Sequence, residues 1–239
     1  MQTYFEEKAK LETDAWKKRI TKKPGMISRY TKQVQSSMHK VIPEKAQDMV
    51  TESIKKMIEV TLFGSEYTTK SLESIPMSLE GKERRMLSAL QKYQKTAALE
   101  GAGTGAGGIL LGLADFPLLL AIKMKYLFHV SAIYGYSFKS YEERLFLLFV
   151  FQLAFSNGEH RLETLRQIEG WEEKKAELIS MDWQVLQQEY RDHIDLVKMF
   201  QMLPGFGAVV GAIANYQLLD HLGETAIHAF RIRYFLETG

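Results

Sequence analysis

The stretch from Ala102 to Ile122, AGTGAGGILLGLADFPLLLAI, constrains this 239-residue chain more than any other. By length alone it is enough for a membrane-spanning helix, yet Asp115 puts a charge in it and Pro117 interrupts it. Gly101, Gly103, Gly105, Gly107, Gly108 and Gly112 supply overlapping small-xxx-small spacings. Such spacings lay a smooth face along a helix, where a second backbone can approach at contact distance. Met202 to Leu219 repeats the pattern with Gly207 and Gly211, so that Gly108-x-x-x-Gly112 then Asp115 is echoed by Gly207-x-x-x-Gly211 then Asn215. Two glycine-rich apolar helical hairpins are expected, each with one polar group on an apolar background.

A buried carboxylate is costly unless it is paired, so Asp115 should cap, pair or do chemistry. An Asp two residues before a Pro suits a helix restart, with the carboxylate accepting the free amides of the first turn. The apolar run then divides into legs of about thirteen and twenty residues, or roughly 20 and 30 Å. A 20 Å leg cannot cross a hydrocarbon core of about 30 Å, which favours a re-entrant or surface-inserted hairpin, or a glycine-packed core, over a simple span. The competing reading puts Asp115, with Asn215, in a glycine-lined pocket.

The rest of the chain reads as helix, predicting an all-α, multi-helix bundle in a single domain over 1–239. Thr3 and Glu6 form a capping box ahead of Phe5, Ala9, Trp16 and Ile20, ended by Lys23-Pro24-Gly25. Ile27 to Val41 and Pro43 to Gly64 give two more amphipathic helices. Residues 64–81, rich in Ser and Thr, form a loop and a possible internal boundary after a basic helical part, 1–63. Ser140 and Glu143 make a second capping box before a helix that is apolar all round, Leu145 to Phe155, which Asn157-Gly158 breaks. A helix of that kind is buried on every side or lies in lipid. Glu159 to Met199 is amphipathic, with Leu162, Leu165, Ile168, Trp171, Leu178, Trp183, Leu186 and Ile194 as core, and a last helix pair follows from Pro204.

Charge is nearly balanced, 31 basic against 29 acidic residues, but unevenly placed. Up to Glu100 there are 19 basic and 13 acidic residues, and after it 12 and 16. Lys17, Lys18, Arg19, Lys22, Lys23, Arg29, Lys32 and Lys40 follow one another with no acid between Asp14 and Glu44. Such a block suits an anionic surface, or else a solvated helix face paired with acids elsewhere in the fold. Nucleic acid is not expected as a partner, because the block lacks interleaved aromatics and no recognition-helix or zinc-finger spacing follows. The absence of cysteine removes disulfides and thiolate metal sites.

Enzyme motifs are incomplete. Gly103-x-Gly105-x-x-Gly108 follows a helical segment rather than a strand and has no acidic residue about 20 positions on, so no dinucleotide is expected. His221, Glu224 and His228 share a helical face beside Asp220 and form a weak metal-ligand set. Two histidines two turns apart lie near 10 Å along the axis, too far to share an ion unaided, and a hydrogen-bond ladder is the plainer role. No cofactor is expected.

The run GTGAGGILLGLADFPLLLAIKMKYLFHVSAIYGY, then YEERL with its apolar helix, then LPGFGAVVGAIANY, resembles the EcsC protein family of bacteria over nearly the whole chain. The resemblance implies a link to an ABC transporter made of an ATPase and a membrane subunit, beside which the family's type member is encoded, and it carries no catalytic residue over. The first expectation is therefore a non-enzymatic, membrane-associated accessory factor, cytoplasmic and peripheral at the inner face of the cell membrane. A lipid- or small-molecule-handling enzyme or carrier with a pocket around Asp115, and a soluble protein-binding helical module, are the alternatives.

Overall fold

A computed structural model describes residues 3–22, 44–64, 77–104, 116–137, 139–156, 158–180, 188 and 208–238, with backbone alone at 44–47, 100–104 and 208–215. Among them are eight helices and no strand: α1 (Tyr4–Thr21), α2 (Glu44–Phe63), α3 (Leu79–Thr104), α4 (Phe116–Tyr134), α5 (Tyr141–Phe155), α6 (Gly158–Glu169), α7 (Trp171–Ser180) and α8 (Ala208–Thr238). The all-α expectation holds. The expected helix over Ile27–Val41, the 65–76 part of the loop expected over 64–81, and Trp183, Leu186 and Ile194 lie outside the described residues, while residues 79–81, expected in that loop, open α3.

Local signals set several helix ends. Thr3 accepts from the Glu6 amide while the Glu6 carboxylate accepts from the Thr3 amide, closing both halves of the first box. At α5 only half of the second box forms. Ser140 accepts from the Glu143 amide, but the Glu143 carboxylate is taken by Arg233 of α8. Arg144 caps the end of α2 by donating to the carbonyls of Thr61, Leu62 and Gly64 at 3.4, 3.1 and 2.8 Å. α5 stops at Phe155, and Gly158 takes the positive φ of 53° that lets α6 start in a new direction.

α8 is the spine. It packs most extensively on α3 and also touches α1, α4, α5 and α6. Its 31 residues make a rod of about 45 Å. The helix pair expected from Pro204 onward is instead this one continuous helix from Ala208. Gly223 does not break it, because the position is needed for packing: a Cβ there would lie 2.5 Å from Leu90 Cδ2 of α3. The amphipathic region after Glu159 divides at Gly170 into α6 and α7, with Leu165, Ile168, Trp171 and Leu178 buried and Leu162 half-buried.

One hydrophobic core runs through all eight helices. α5, apolar all round, is buried on every side from Leu145 to Phe155. α4 is long and apolar enough to cross a membrane by length and composition, but most of it is buried by its neighbours, as in the core helix of a bundle.

Arg231 lies beside Glu83, Gly223 beside Leu90, and Asp220 beside Gln94, so α3 and α8 run antiparallel. Tyr93 meets Tyr126 and His129, while Lys82 reaches the Tyr134 carbonyl, so α3 and α4 are antiparallel too. α1 ends near Glu224 of α8, and α5 ends near His221. α3, α4 and α8 continue past that level by about 20 Å, the length of the thirteen residues from Ala208 to Asp220. This outer end is where the links to residues 105–115 and to the chain before Ala208 are made.

Candidate functional site

Three polar residues of α8 singled out in the sequence are each engaged with a different neighbour. His221 donates from Nε2 to the Ala154 carbonyl at 2.8 Å, capping α5. Glu224 accepts from Arg19. His228 stacks on Trp16, with ring centroids 4.6 Å apart, and its Nδ1 lies 3.1 Å from Thr13 Oγ1. That hydroxyl already donates to the Ala9 carbonyl, so it accepts from His228 and the proton sits on Nδ1. Burial first, with Arg231 and Arg19 adding repulsion, pushes the His228 pKa down to about 3. His221, Glu224 and His228 thus form separate interhelical contacts, and among the described residues no group of three acids or histidines is placed to hold a metal ion.

Two arginines that the motif reading passed over are the most heavily bonded groups of the helix. Arg231 is buried, grips Glu83 with two bonds of 2.6 and 2.8 Å, and donates to Glu12 at 2.9 Å. Burial alone would lower its pKa, but Glu83 and Glu12 outweigh it. Arg233 grips Glu143 at 2.6 and 2.7 Å and lies 3.7 Å over the Tyr136 ring. A cleft of about 160 Å³ between α1 and α3 has Arg231 in its floor, and Glu12 and Glu83, which also line it, already satisfy that guanidinium. These pairs brace the bundle.

The basic block divides in two. Lys17 bonds Asp14 and Glu169, and Arg19 bonds Glu224, so both serve the fold. Lys18 and Lys22 are exposed and have no carboxylate partner among the described residues. Lys23, Arg29, Lys32 and Lys40 lie outside those residues, as do Asp115, Gly105, Gly107, Gly108, Gly112 and Gly207. Gly101 and Gly103 fall in the last turns of α3, and Gly211 and Asn215 in the first turns of α8. Continuing the α3–α8 register sets Gly103 level with Gly211.

Three of the nine large apolar side chains exposed among the described residues lie at the outer end. Leu99 of α3, Leu118 of α4 and Tyr216 of α8 are 75, 45 and 48% exposed. The helix registers place all three at one level of the bundle. Roughly 6–10 Å further in, the exposed Lys22, Lys92, Lys95 and Lys125 occupy a second level on the flank made by α1, α3 and α4. Asp220, at that level, accepts from Gln94 at 3.2 Å.

Within this end lies Lys123, 1% exposed. Among the described residues its Nζ meets the carbonyl of Leu119, at 3.4 Å, one turn back on α4. Burial pushes its pKa down from 10.5 to about 7. The signal was present in the sequence as a cation inside an apolar helix, Ile122-Lys123-Met124, but Lys125 beside it is exposed, and spacing alone did not say which of the two faces inward.

The EcsC protein family model matches residues 7–235. Protein EcsC of Bacillus subtilis (strain 168) is 52% identical over 223 residues, covering 93% of this chain and 93% of that protein. A second B. subtilis protein, the uncharacterized protein YdbA, is 25% identical over 84% of this chain and 82% of its own length. No solved structure matches the chain. With a family model matching residues 7–235 and a relative 52% identical over 93% of both chains, the chain belongs to the EcsC protein family.

Proposed function

We propose that this protein is a non-enzymatic, peripheral membrane factor that seats the outer end of α3, α4 and α8 on an anionic lipid surface at the inner face of the cell membrane. The observation that carries the reading is the layering of that end: Leu99, Leu118 and Tyr216 exposed at one level, with Lys22, Lys92, Lys95 and Lys125 behind them. Peripheral proteins bury apolar side chains about 5–10 Å into the headgroup boundary, and lysines near the surface add about 1 kcal/mol each on an anionic leaflet. The lysines span a comparable depth here, so both contributions act in one orientation. The glycine-rich stretches join the bundle at this same end. Work beside the ATPase or membrane subunit of an ABC transporter is the wider part of the proposal, and co-purification from native membranes tests it.

Flotation with phosphatidylcholine vesicles, with and without phosphatidylglycerol, tests the lipid seat. The protein should float only with the anionic vesicles, be released by salt, and lose binding in Leu99→Glu/Leu118→Glu. A protein that ignores anionic vesicles in low salt refutes the reading.

A further inference from the structure

A ladder of polar contacts holds α1 on the spine. Four residues of α8, at spacings of four, three and three, turn polar groups toward it: Glu224 accepts from Arg19, His228 donates to Thr13 and stacks on Trp16, Arg231 donates to Glu12 at 2.9 Å, and Tyr234 donates to Glu6 at 2.7 Å. Lys17 adds a bond of 3.2 Å to Glu169 of α6. The apolar share of α1 is small: Ala9 and Trp16 are buried, and Phe5 and Ile20 are half-buried. Between α1 and α3 the packing opens into the cleft of about 160 Å³.

Such an interface can exchange its occupant. The ion pairs of Lys17 and Arg19 are partly exposed and therefore weak. Were α1 to leave, Glu224, His228 and Tyr234 would pass into water, and Arg231 would keep its fork on Glu83. What leaves is an amphipathic helix, with Phe5, Ala9, Trp16 and Ile20 on one face and Lys17, Lys18, Arg19 and Lys22 crowding its C-terminal end. A helix with tryptophan on its apolar face and cations around it lies in the headgroup boundary of an anionic bilayer. Lys22, at its end, stands among the lysines behind the outer end of the bundle.

We propose that α1 is an exchangeable lipid-binding helix: on an anionic bilayer it leaves α8, pivots near Lys22, and lays its Trp16 face and C-terminal cations on the headgroups. Lipid phosphates then replace Glu169 and Glu224 as the partners of Lys17 and Arg19. The exchange rests on the membrane reading above for the bilayer that receives the helix.

The chain has no cysteine, so paired spin labels go only where cysteines are introduced. Lys10→Cys/Ser88→Cys reports the α1–α3 separation and Gln91→Cys/Gln217→Cys the α3–α8 separation, all four positions being exposed. Pulsed electron resonance measures both distances in buffer, on phosphatidylglycerol vesicles, and in lysophosphatidylglycerol or lysophosphatidylcholine micelles. Lys10 lies about 18 Å along the helix from Lys22, so turning α1 out of the bundle should lengthen the first distance by about 10 Å or more and leave the second fixed. A first distance unchanged in protein that floats with the vesicles overturns the exchange and leaves the membrane seat standing. Protein that does not float refutes the seat, and the anionic micelles then decide α1 by themselves: lengthening upholds the lipid-binding helix and constancy overturns it. Equal lengthening in lysophosphatidylcholine overturns the assignment to anionic lipid. Lengthening of both distances together is unfolding of the bundle and overturns the exchange as well.

Discussion

Lys123→Met removes the amine and keeps a flexible side chain of similar length, so it isolates the cost of burying that group. The unfolded amine titrates near 10.5 and the folded one near 7, lowered by burial. Below pH 7 both states hold the proton and folding carries the whole desolvation cost. Between 7 and 10.5 the unfolded state binds one more proton than the folded state, so wild-type stability rises with pH by about 1.4 kcal/mol per unit. Above 10.5 both states are neutral and the cost is gone. A shift from 10.5 to about 7 corresponds to about 5 kcal/mol in all, of which about 3 kcal/mol falls between pH 7 and 9. The methionine variant lacks this dependence. Its stability advantage should be largest at pH 7 and shrink by about 3 kcal/mol by pH 9. Urea unfolding of both proteins at pH 7, 8 and 9 in phosphate-free buffer reads this difference, because the titration of every other group cancels between them. A stability difference that stays constant across that range means the folded amine is already charged, and it would refute the reasoning.

Three further outcomes follow from the interhelical contacts. Glu83→Gln leaves the buried Arg231 without its anionic fork and should cost about 3–5 kcal/mol in urea unfolding, while Glu83→Leu/Arg231→Met should recover most of that loss. Gly223→Ala gains about 1 kcal/mol of helix propensity but brings a Cβ to 2.5 Å from Leu90 Cδ2. It should lower the melting temperature in the wild-type background and cease to do so with Leu90→Ala. His228 should show a neutral ring protonated at Nδ1 by nitrogen NMR from pH 8 down to 5. Its folded pKa lies below the unfolded value of 6.5, so the unfolded state gains the proton first and stability falls as pH drops through that window. His228→Phe should remove this part of the acid sensitivity.

Helix existence was legible because periodicity and caps are local. Thr3 with Glu6, Ser140 with its Glu143 amide bond, and the Asn157-Gly158 break are all decided within four residues of chain. The all-apolar α5 announced its burial for the same reason. What a side chain pairs with was not legible, since it depends on registers between helices far apart in sequence. Glu143 looks like the second half of a capping box, yet Arg233, ninety residues on, takes its carboxylate. His221, Glu224 and His228 share a helical face as a pattern, but α5 and α1 pack against different parts of it and draw them to separate partners. The basic block divides likewise, because α6 and α8 bring acids to Lys17 and Arg19 and none to Lys18 and Lys22. Gly223, outside both glycine-rich runs by spacing, makes a tight packing contact that only the α3–α8 crossing reveals.

The buried cations bear on whether Lys123 is an accident of packing. Arg231 and Arg233 lie two residues apart on α8, and the carboxylates that neutralise them come from four other helices, Glu12 of α1, Glu83 of α3, Glu143 of α5 and Glu172 of α7, with Glu237 of α8 itself. The fold thus supplies anions to its interior where a charge serves the bundle. Methionine at position 123 would satisfy the core with no electrostatic cost, and buried lysines are rare for that reason.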